Sequence, residues 1–238
     1  MEMKMIATEK YQDLSPREAI AYQKELRALI NLQELDQPIR YIAGADISFN
    51  KYEETVYAGI VILTYPDLIL VEEATAISST TFPYVSGLLA FREIPALLEA
   101  FKKLKQSPDV MVLDGQGIAH ERRLGIATHF GLLTDIPSIG SAKSRLHGLY
   151  EEPGSKPFDK TPLLSKQETV GFAFRSKAKC KPIFVSPGHK ISLDQSVEII
   201  KNCITKYRIP EPTRLAHLLV NRIRIEDKLK VDSPQTAV

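Results

Sequence analysis

The stretch from Val110 to Gly131 constrains the fold of this chain more than any other. It begins with four apolar residues, Val110 to Leu113, and continues with Asp114, Gly115 and Gly117. A short continuous apolar run is typical of a strand buried on both faces. Open α/β sheets bind their ligands at the carboxyl ends of such strands, where a carboxylate is costly unless a partner compensates its charge. Asp114 is therefore either a ligand-binding acid or a surface residue in an Asp-Gly turn.

The composition is that of an ordinary globular chain of 238 residues, with 44% hydrophobic and 25% charged residues. The net charge is only +2, so nucleic-acid binding would have to use local patches. Cys180 and Cys203 lie singly in the sequence, which favours a reducing compartment. We see no signal-peptide pattern and no apolar run of membrane-spanning length. We therefore predict a cytoplasmic protein with no membrane partner, folded as one domain over residues 1–238 and monomeric.

The pattern of apolar residues and turns predicts an α/β fold. Three antiparallel strands are expected, at Arg40 to Phe49, Thr55 to Leu63 and Leu68 to Ala76. Two parallel strands should follow through right-handed crossovers, at Val110 to Asp114 and Ser138 to Lys143. Flanking helices are predicted from the Ser15-Pro16 cap to Gln37-Pro38, and at Pro95 to Lys105, Glu121 to Leu133, Leu193 to Tyr207 and Pro212 to Ile225. Residues Glu151 to Ser165 are predicted as a loop, Thr169 to Arg175 and Pro182 to Val185 as a hairpin, and Ser186 to Lys190 as a tight turn.

Three carboxylates could converge on this sheet. Asp46 lies within the first strand, Asp114 ends the fourth, and Glu93 lies at the start of the helix between the third and fourth strands. If the first and fourth strands are neighbours, both aspartates meet at one edge, with Glu93 above them. Acids at such a distance repel one another unless a cation is present, and oxygen ligands select Mg²⁺ or Mn²⁺. The sequence has no zinc-type spacing, Walker loop or dinucleotide fingerprint. The pattern therefore favours Mg²⁺-dependent phosphodiester chemistry.

Four motifs, in this order along the chain, resemble those of the endonuclease V family, which has a ribonuclease H-like fold. They are Gly44-Ala45-Asp46-Ile47-Ser48, the stretch from Pro83 to Glu93, Asp114-Gly115-Gln116-Gly117-Ile118-Ala119-His120, and Ile139-Gly140-Ser141-Ala142-Lys143. The resemblance extends from about Tyr41 to Asn221. One departure is Ser86, where many family members have proline, and it predicts a less rigid loop.

The resemblance implies a role for each residue of these motifs. Asp46, Glu93 and Asp114 would hold the metal, His217 would lie near the metal or the attacking water, and Lys143 near the cleaved phosphate. Tyr84, between Pro83 and Val85, would be the wedge that separates the bases. The pocket for the flipped base would be lined by Gly87, Leu89, Gly115, Gly117 and Ile126, and the strand would be contacted by His120, Ala142 and Ser186.

The implied activity is DNA repair. The enzyme would recognise deoxyinosine and hydrolyse the second phosphodiester bond 3′ to it by metal-activated water, with Mg²⁺ or Mn²⁺, leaving 3′-hydroxyl and 5′-phosphate ends. Three alternatives remain open. They are a ribonuclease H-like nuclease acting on inosine in RNA or on branched DNA, a catalytically silent nucleic-acid-binding module, and a metabolic phosphohydrolase. The basic stretch from Arg175 to Lys181 disfavours the last, because it is a plausible phosphate-facing ribbon.

Overall fold

The structure is a computed structural model that describes residues 5–50 and 53–232. The strands are β1 (Tyr41–Phe49), β2 (Thr55–Thr64), β3 (Leu70–Ser79), β4 (Val110–Leu113), β5 (Ser138–Ala142), β6 (Lys160–Ser165), β7 (Glu168–Phe174) and β8 (Ile183–His189). The α-helices are α1 (Pro16–Leu26), α2 (Ala90–Phe101), α3 (Ile126–Thr134), α4 (Leu193–Asn202) and α5 (Glu211–Asp232). Two 3₁₀ turns, Thr8–Asp13 and Arg27–Leu29, precede the first strand.

All of these strands belong to one sheet, in the order β3-β2-β1-β4-β5-β8-β7-β6. β1, β2 and β3 are antiparallel, whereas β4 runs parallel to β1 and β5 runs parallel to β4. The predicted arrangement of three antiparallel strands followed by two parallel ones is confirmed. The expectation that the first and fourth strands are neighbours is also confirmed, because Ala45 is in register with Leu113.

The sheet is larger than predicted, because two segments assigned to loops are strands. Lys160–Ser165, within the predicted loop, pairs antiparallel with β7 as an edge strand, where Pro162 is tolerated. The predicted tight turn from Ser186 to Lys190 is wrong, because β8 continues to His189 and pairs with β5 there. Pro187 fits into this strand because β7 pairs only with Ile183 to Val185, so that side requires no N–H from Pro187.

The predicted helices exist, but several of their boundaries were wrong. The Ser15 capping box is confirmed, yet α1 ends at Leu26, well before Gln37-Pro38. α2 begins at Ala90, so Pro95 lies inside it. α3 begins only at Ile126, because residues 115–125 fold into a loop in which Gly125 donates its N–H to the Gly117 carbonyl at 3.0 Å. α4 is shorter than predicted, ending at Asn202, and α5 is longer, from Glu211 to Asp232.

The sheet separates two hydrophobic layers. Ala43, Ala45 and Leu113 face a core shared with α1, α2 and α3, whereas Ile42 and Val112 face a core shared with α4 and α5. The central strands are thus buried on both faces, which explains their continuous apolar sequence. Within the described part of the chain, no helix combines the length and apolar character needed to cross a membrane.

Candidate active site

Asp46 and Asp114 lie side by side where β4 ends. Ala45 and Leu113 are paired neighbours, and the backbone N–H of Asp114 donates to the Ala45 carbonyl at 3.0 Å. Asp46 is buried and Asp114 is partly exposed. Side chains alternate between the two faces of a strand. Asp46 follows Ile42 by four residues and Asp114 follows Val112 by two, so both fall on the face that packs against α4 and α5. The arrangement of the chain therefore turns both carboxylates toward α5.

Helix α5 supplies the third member of this group, His217. The helix lies close to the sheet because Gly44 has no side chain, and a Cβ there would lie 2.0 Å from the Pro212 carbonyl oxygen. His217 Nδ1 donates to Asp46 Oδ2 at 2.7 Å, and Asn221 Nδ2 donates to His217 Nε2 at 3.0 Å. The small residues before Asp46 therefore make room for the helix that carries the histidine.

Burial and neighbouring carboxylates raise the pKa values of Asp46 and Glu93. Burial and then the charge of Asp114 raise the pKa of Asp46, although the hydrogen bond from His217 acts in the opposite direction. Burial, with the charge of Asp46, raises the pKa of Glu93 to about 7. The Lys143 ammonium forms an ion pair with Asp114 Oδ2. Lys143 therefore compensates part of the negative charge of this acidic cluster, and the remainder calls for a further cation.

The donor set suits a divalent cation. Asp46, Asp114 and His217 each offer a ligand atom, and these atoms lie within 4.8 Å of one another. Two carboxylate oxygens and an imidazole nitrogen suit a divalent cation better than a soft metal, which prefers thiolates. Glu93 is not a member of this group of three, but it approaches from α2 closely enough for its charge to act on Asp46 and Asp114. A cation bound here would favour the ionised form of all three acids.

A cavity of about 220 Å³ adjoins the acidic cluster, and Glu93 and Asp114 line it. Pockets for drug-sized ligands are roughly 300–1,000 Å³, so this one suits a smaller group such as a single base. Gly115 forms part of its wall, and a Cβ there would lie 2.5 Å from Ile126 Cγ2. Of the residues predicted to line a pocket, four do so, namely Gly87, Leu89, Gly115 and Ile126.

His120, predicted to contact the strand, also lines this cavity, whereas Gly117, Ala142 and Ser186 lie outside its wall. Gly117 packs against β8, where its N–H donates to the buried Ser186 hydroxyl at 2.8 Å. Ala142 is buried at the end of β5, next to the exposed Lys143. Ser186 and Gly117 therefore hold the glycine loop onto the sheet. Their predicted contacts with a nucleic-acid strand stay predictions.

The loop from Phe82 to Leu88, here called the wedge loop, carries Pro83, Tyr84 and Val85 at the rim. Pro83 and Tyr84 are exposed and Val85 is partly buried, and the Tyr84 ring packs against Phe49 with ring centres 6.0 Å apart. Gly87 has φ +78°, a conformation that strains any other residue. The loop is thus a protruding segment with a fixed turn at its end.

Three side chains hold the Gly87 carbonyl of the wedge loop. Gln23 Nε2 donates at 3.0 Å, His120 Nε2 at 3.0 Å and Arg122 Nη2 at 3.1 Å. Burial and then the charge of Arg122 lower the pKa of His120 to about 4, so His120 is neutral and donates from Nε2 only. At the other end of the loop, the buried Arg92 donates to the Phe82 carbonyl. The wedge loop is therefore anchored at both ends although Ser86 replaces a proline.

Sequence reasoning missed several residues that organise the site. Gln23 is buried on α1, and nothing in its local pattern connects it with Gly87, 64 positions away. Arg208 donates to the carbonyls of Lys143 and Pro182, each at 2.7 Å. Arg175, suggested as part of a phosphate-facing ribbon, instead binds Glu152 and the Gly154 carbonyl. Only the three-dimensional contacts reveal these roles.

The sheet and its acidic edge together define an α/β protein with a ribonuclease H-like core and a metal-type site, the architecture of a class of metal-dependent nucleases. The chain belongs to the endonuclease V family, and a model of that family matches residues 24–218. It is therefore a nuclease. The endonuclease V of Nostoc punctiforme is 47% identical over 205 residues, covering 86% of this chain and 93% of that protein.

Solved structures agree with this assignment. The endonuclease V of Streptomyces avermitilis has 42% identity and a TM-score of 0.85, covering 90% of this chain and 95% of its own. That of Bacillus subtilis has 32% identity and a TM-score of 0.88, covering 96% and 100%. The endonuclease V of Ciona intestinalis, in complex with a 24mer DNA containing an inosine followed by a ribo-adenosine, has 33% identity and a TM-score of 0.77, covering 88% and 98%.

Proposed function

We propose that this protein is a repair endonuclease that recognises deoxyinosine in DNA. It hydrolyses the second phosphodiester bond on the 3′ side of the lesion, leaving 3′-hydroxyl and 5′-phosphate ends. The observation that carries the proposal is that one base-sized cavity and one acidic metal-type site share Asp114, and that Glu93 lines the same cavity. A base held in that cavity has its own backbone beside the acids. The Ciona intestinalis relative bound to inosine-containing DNA supports this choice of lesion.

Asp46, Asp114 and His217 would hold a Mg²⁺ ion, for which Mn²⁺ can substitute, and Glu93 completes the acidic environment. When bound, the cation polarises the phosphoryl oxygen and lowers the pKa of the attacking water. Asp46 orients His217 through the 2.7 Å hydrogen bond, and Asn221 fixes the other side of the ring. His217 is thus held rigidly at the edge of the reaction centre, with both of its ring nitrogens hydrogen-bonded.

Lys143 has a separate role in this proposal. Its ammonium pairs with Asp114 and its side chain is 39% exposed, so it can turn toward a phosphate that enters the site. With a cation held by Asp114, the charge of that carboxylate would be compensated and Lys143 would be free to turn away from it. Lys143 then donates to a phosphate oxygen and stabilises the charge that develops during cleavage.

The cavity provides selectivity for hypoxanthine. Hypoxanthine pairs weakly, so removing it from the stack costs less than removing guanine. The walls formed by Gly115 and Ile126 are close enough to exclude an exocyclic amine of guanine. Tyr84 stands at the rim on the anchored wedge loop, where its ring can fill the gap that the flipped base leaves. The chain works in this scheme as one domain and a monomer, in the cytoplasm, where a reducing environment suits its two free cysteines.

The test is Mg²⁺-dependent nicking of a labelled duplex with one deoxyinosine, beside the same duplex with deoxyguanosine. We expect one nick, after the first nucleotide 3′ to the inosine, and none with deoxyguanosine. Asp46→Ala should abolish nicking. Asp194→Ala is the matched control, because Asp194 is an exposed carboxylate paired with Lys160, and it should leave nicking unchanged. Equal nicking of the two duplexes, or an active Asp46→Ala enzyme, would contradict the proposal.

A second candidate is cleavage of inosine-containing RNA. The strand in the Ciona intestinalis complex carries a ribo-adenosine directly after the inosine, so that relative accommodates a ribose next to the lesion. The same nicking assay with a single ribonucleotide at that position, and with an all-RNA strand, distinguishes the two. A rate on RNA well above the rate on DNA would move the assignment to a ribonuclease.

A further inference from the structure

We propose that Tyr207 and Lys206 form a binding site for the nucleotide that follows the cleaved bond, with the base stacked on the Tyr207 ring. The inference rests on the proposed function, because it assumes a DNA strand that passes from the base pocket across the acidic cluster. It concerns the loop between α4 and α5, in which Tyr207 and Lys206 have no role described above.

The Tyr207 ring is both exposed and fixed. The residue is 46% exposed. The Arg214 guanidinium lies over the ring, 4.6 Å from its centre. Arg214 is itself held by Glu211, to which its Nε donates at 2.9 Å. The neighbouring Ile209 packs into the core beneath α5. An aromatic ring fixed in this way can stack with a base at little entropic cost.

Two contacts connect the loop between α4 and α5 to residues of the reaction centre. Arg208 bonds the carbonyl of Lys143 at 2.7 Å, so the loop is tied directly to the end of β5. Arg214 precedes His217 by three residues on α5, and residues at that spacing share one face of a helix. Tyr207 is therefore connected through its neighbour Arg208 to Lys143, and through Arg214 to the face of α5 that carries His217.

The base pocket lies on the opposite side. Its walls include Leu89 and Ala90 near the start of α2, in the layer formed by α1, α2 and α3. A strand whose flipped base occupies that pocket brings its next phosphates to Asp46 and Asp114 at the sheet edge. Beyond that edge it meets the α4–α5 side, where Tyr207 offers a ring and the exposed Lys206 offers a charge for the next phosphate.

Arg214 itself is not the phosphate ligand in this arrangement. Glu211 neutralises it through two contacts, so it supports the ring rather than attracting an anion. The affinity of the site comes from base stacking, which is largely independent of sequence. The site should therefore add affinity for any base at that position and leave the choice of lesion unchanged.

The experiment measures the dissociation constant of a dye-labelled single-stranded oligonucleotide containing one deoxyinosine, in EDTA. A second oligonucleotide lacks only the base of the second nucleotide 3′ to the inosine, which follows the cleaved bond. Tyr207→Ala should weaken binding of the first oligonucleotide by about 5- to 100-fold, as removal of a stacking aromatic does. Tyr207→Phe should stay within about twofold of wild type, because it keeps the ring.

The two oligonucleotides separate stacking from a merely structural effect. If the base stacks on Tyr207, the losses of binding free energy caused by removing the base and by removing the ring are not additive. Tyr207→Ala should therefore change binding of the abasic oligonucleotide by less than about twofold. Tyr41→Ala is the matched control. Tyr41 is a partly buried tyrosine at the first position of β1, five residues before Asp46, and its loss should have equal small effects on both oligonucleotides.

Wild-type affinity in Tyr207→Ala, or equal losses on both oligonucleotides, would overturn the proposal. Failure of the proposed function has a different signature, because the wild-type enzyme would then not nick at inosine. Loss of the stacking site alone leaves inosine-dependent nicking in place at saturating DNA and raises only the KM.

Discussion

Glu93 makes the metal-free protein less stable as the pH rises. Its pKa is raised from 4.5 to about 7 by burial and by Asp46. Between these values the folded state keeps a proton that the unfolded state has lost, so stability falls from about pH 4.5 and levels off above pH 7. At about 1.36 kcal/mol for each pH unit between them, the destabilisation at pH 8 is about 3 kcal/mol. For a chain of this length this is roughly 6–12 °C in Tm.

Glu93→Gln tests this reasoning because glutamine keeps the shape of the side chain without its charge. In EDTA, the variant should be more stable than the wild type by about 3 kcal/mol at pH 8, and the difference should fall below about 1 kcal/mol near pH 5. Urea denaturation at pH 5, 6, 7 and 8 measures it. Glu99→Gln is the control, because Glu99 is exposed on the same helix and should leave the pH profile unchanged.

Magnesium should reverse the order of the two proteins. A cation that binds the ionised acids stabilises the folded wild type, and more strongly at pH 8 than at pH 6, where protons compete for Glu93. The Gln variant should gain less and should lose nicking activity. Parallel pH profiles for wild type and Glu93→Gln in EDTA would refute the argument, because they would mean that Glu93 is not the group that titrates.

Three further predictions follow from the geometry of the site. Gly115→Ala should weaken cleavage at inosine with little loss of stability, because its Cβ would lie 2.5 Å from Ile126 Cγ2 in the pocket. Adding Ile126→Ala should restore part of the activity, measured as kcat/KM. Gln23→Ala should reduce nicking of inosine in a duplex more than in a single strand, because it removes one of the bonds that anchor the wedge loop; equal losses would disprove that role. Gly44→Ala should destabilise the fold by about 3 kcal/mol or more in urea denaturation, because its Cβ meets the Pro212 carbonyl; unchanged stability would mean that α5 can move away freely.

The core of the sheet was predictable because its signals are local. The run from Val110 to Leu113 and the three segments before it are short apolar stretches bounded by turn residues, which is typical of strands. β6 and the end of β8 were missed for the opposite reason. Pro162 and Pro187 both disfavour strands, and only the pairing with β7 and β5 compensates for them. Local preference was overridden there by tertiary hydrogen bonds.

The site residues also fall into those that local sequence could place and those that depend on tertiary packing. Asp114 could be placed at a strand end from its own neighbours, and strand adjacency then brought Asp46 beside it. The resemblance to a family pointed to His217, but the 2.7 Å bond to Asp46 depends on how closely α5 approaches Gly44. The anchor at Gly87 depends likewise on Gln23, on a different helix.

The sequence by itself determined the central strands, the acids that end them and the glycine loops beside them, because each depends on residues that are neighbours in the chain. Only the tertiary structure decided which distant side chains meet there. Gln23, Tyr207 and Arg208 have ordinary local surroundings, and they gain their positions from helix packing across the sheet and from hydrogen bonds that span many residues. Such contacts follow from the packing of the whole chain, so no local pattern encodes them.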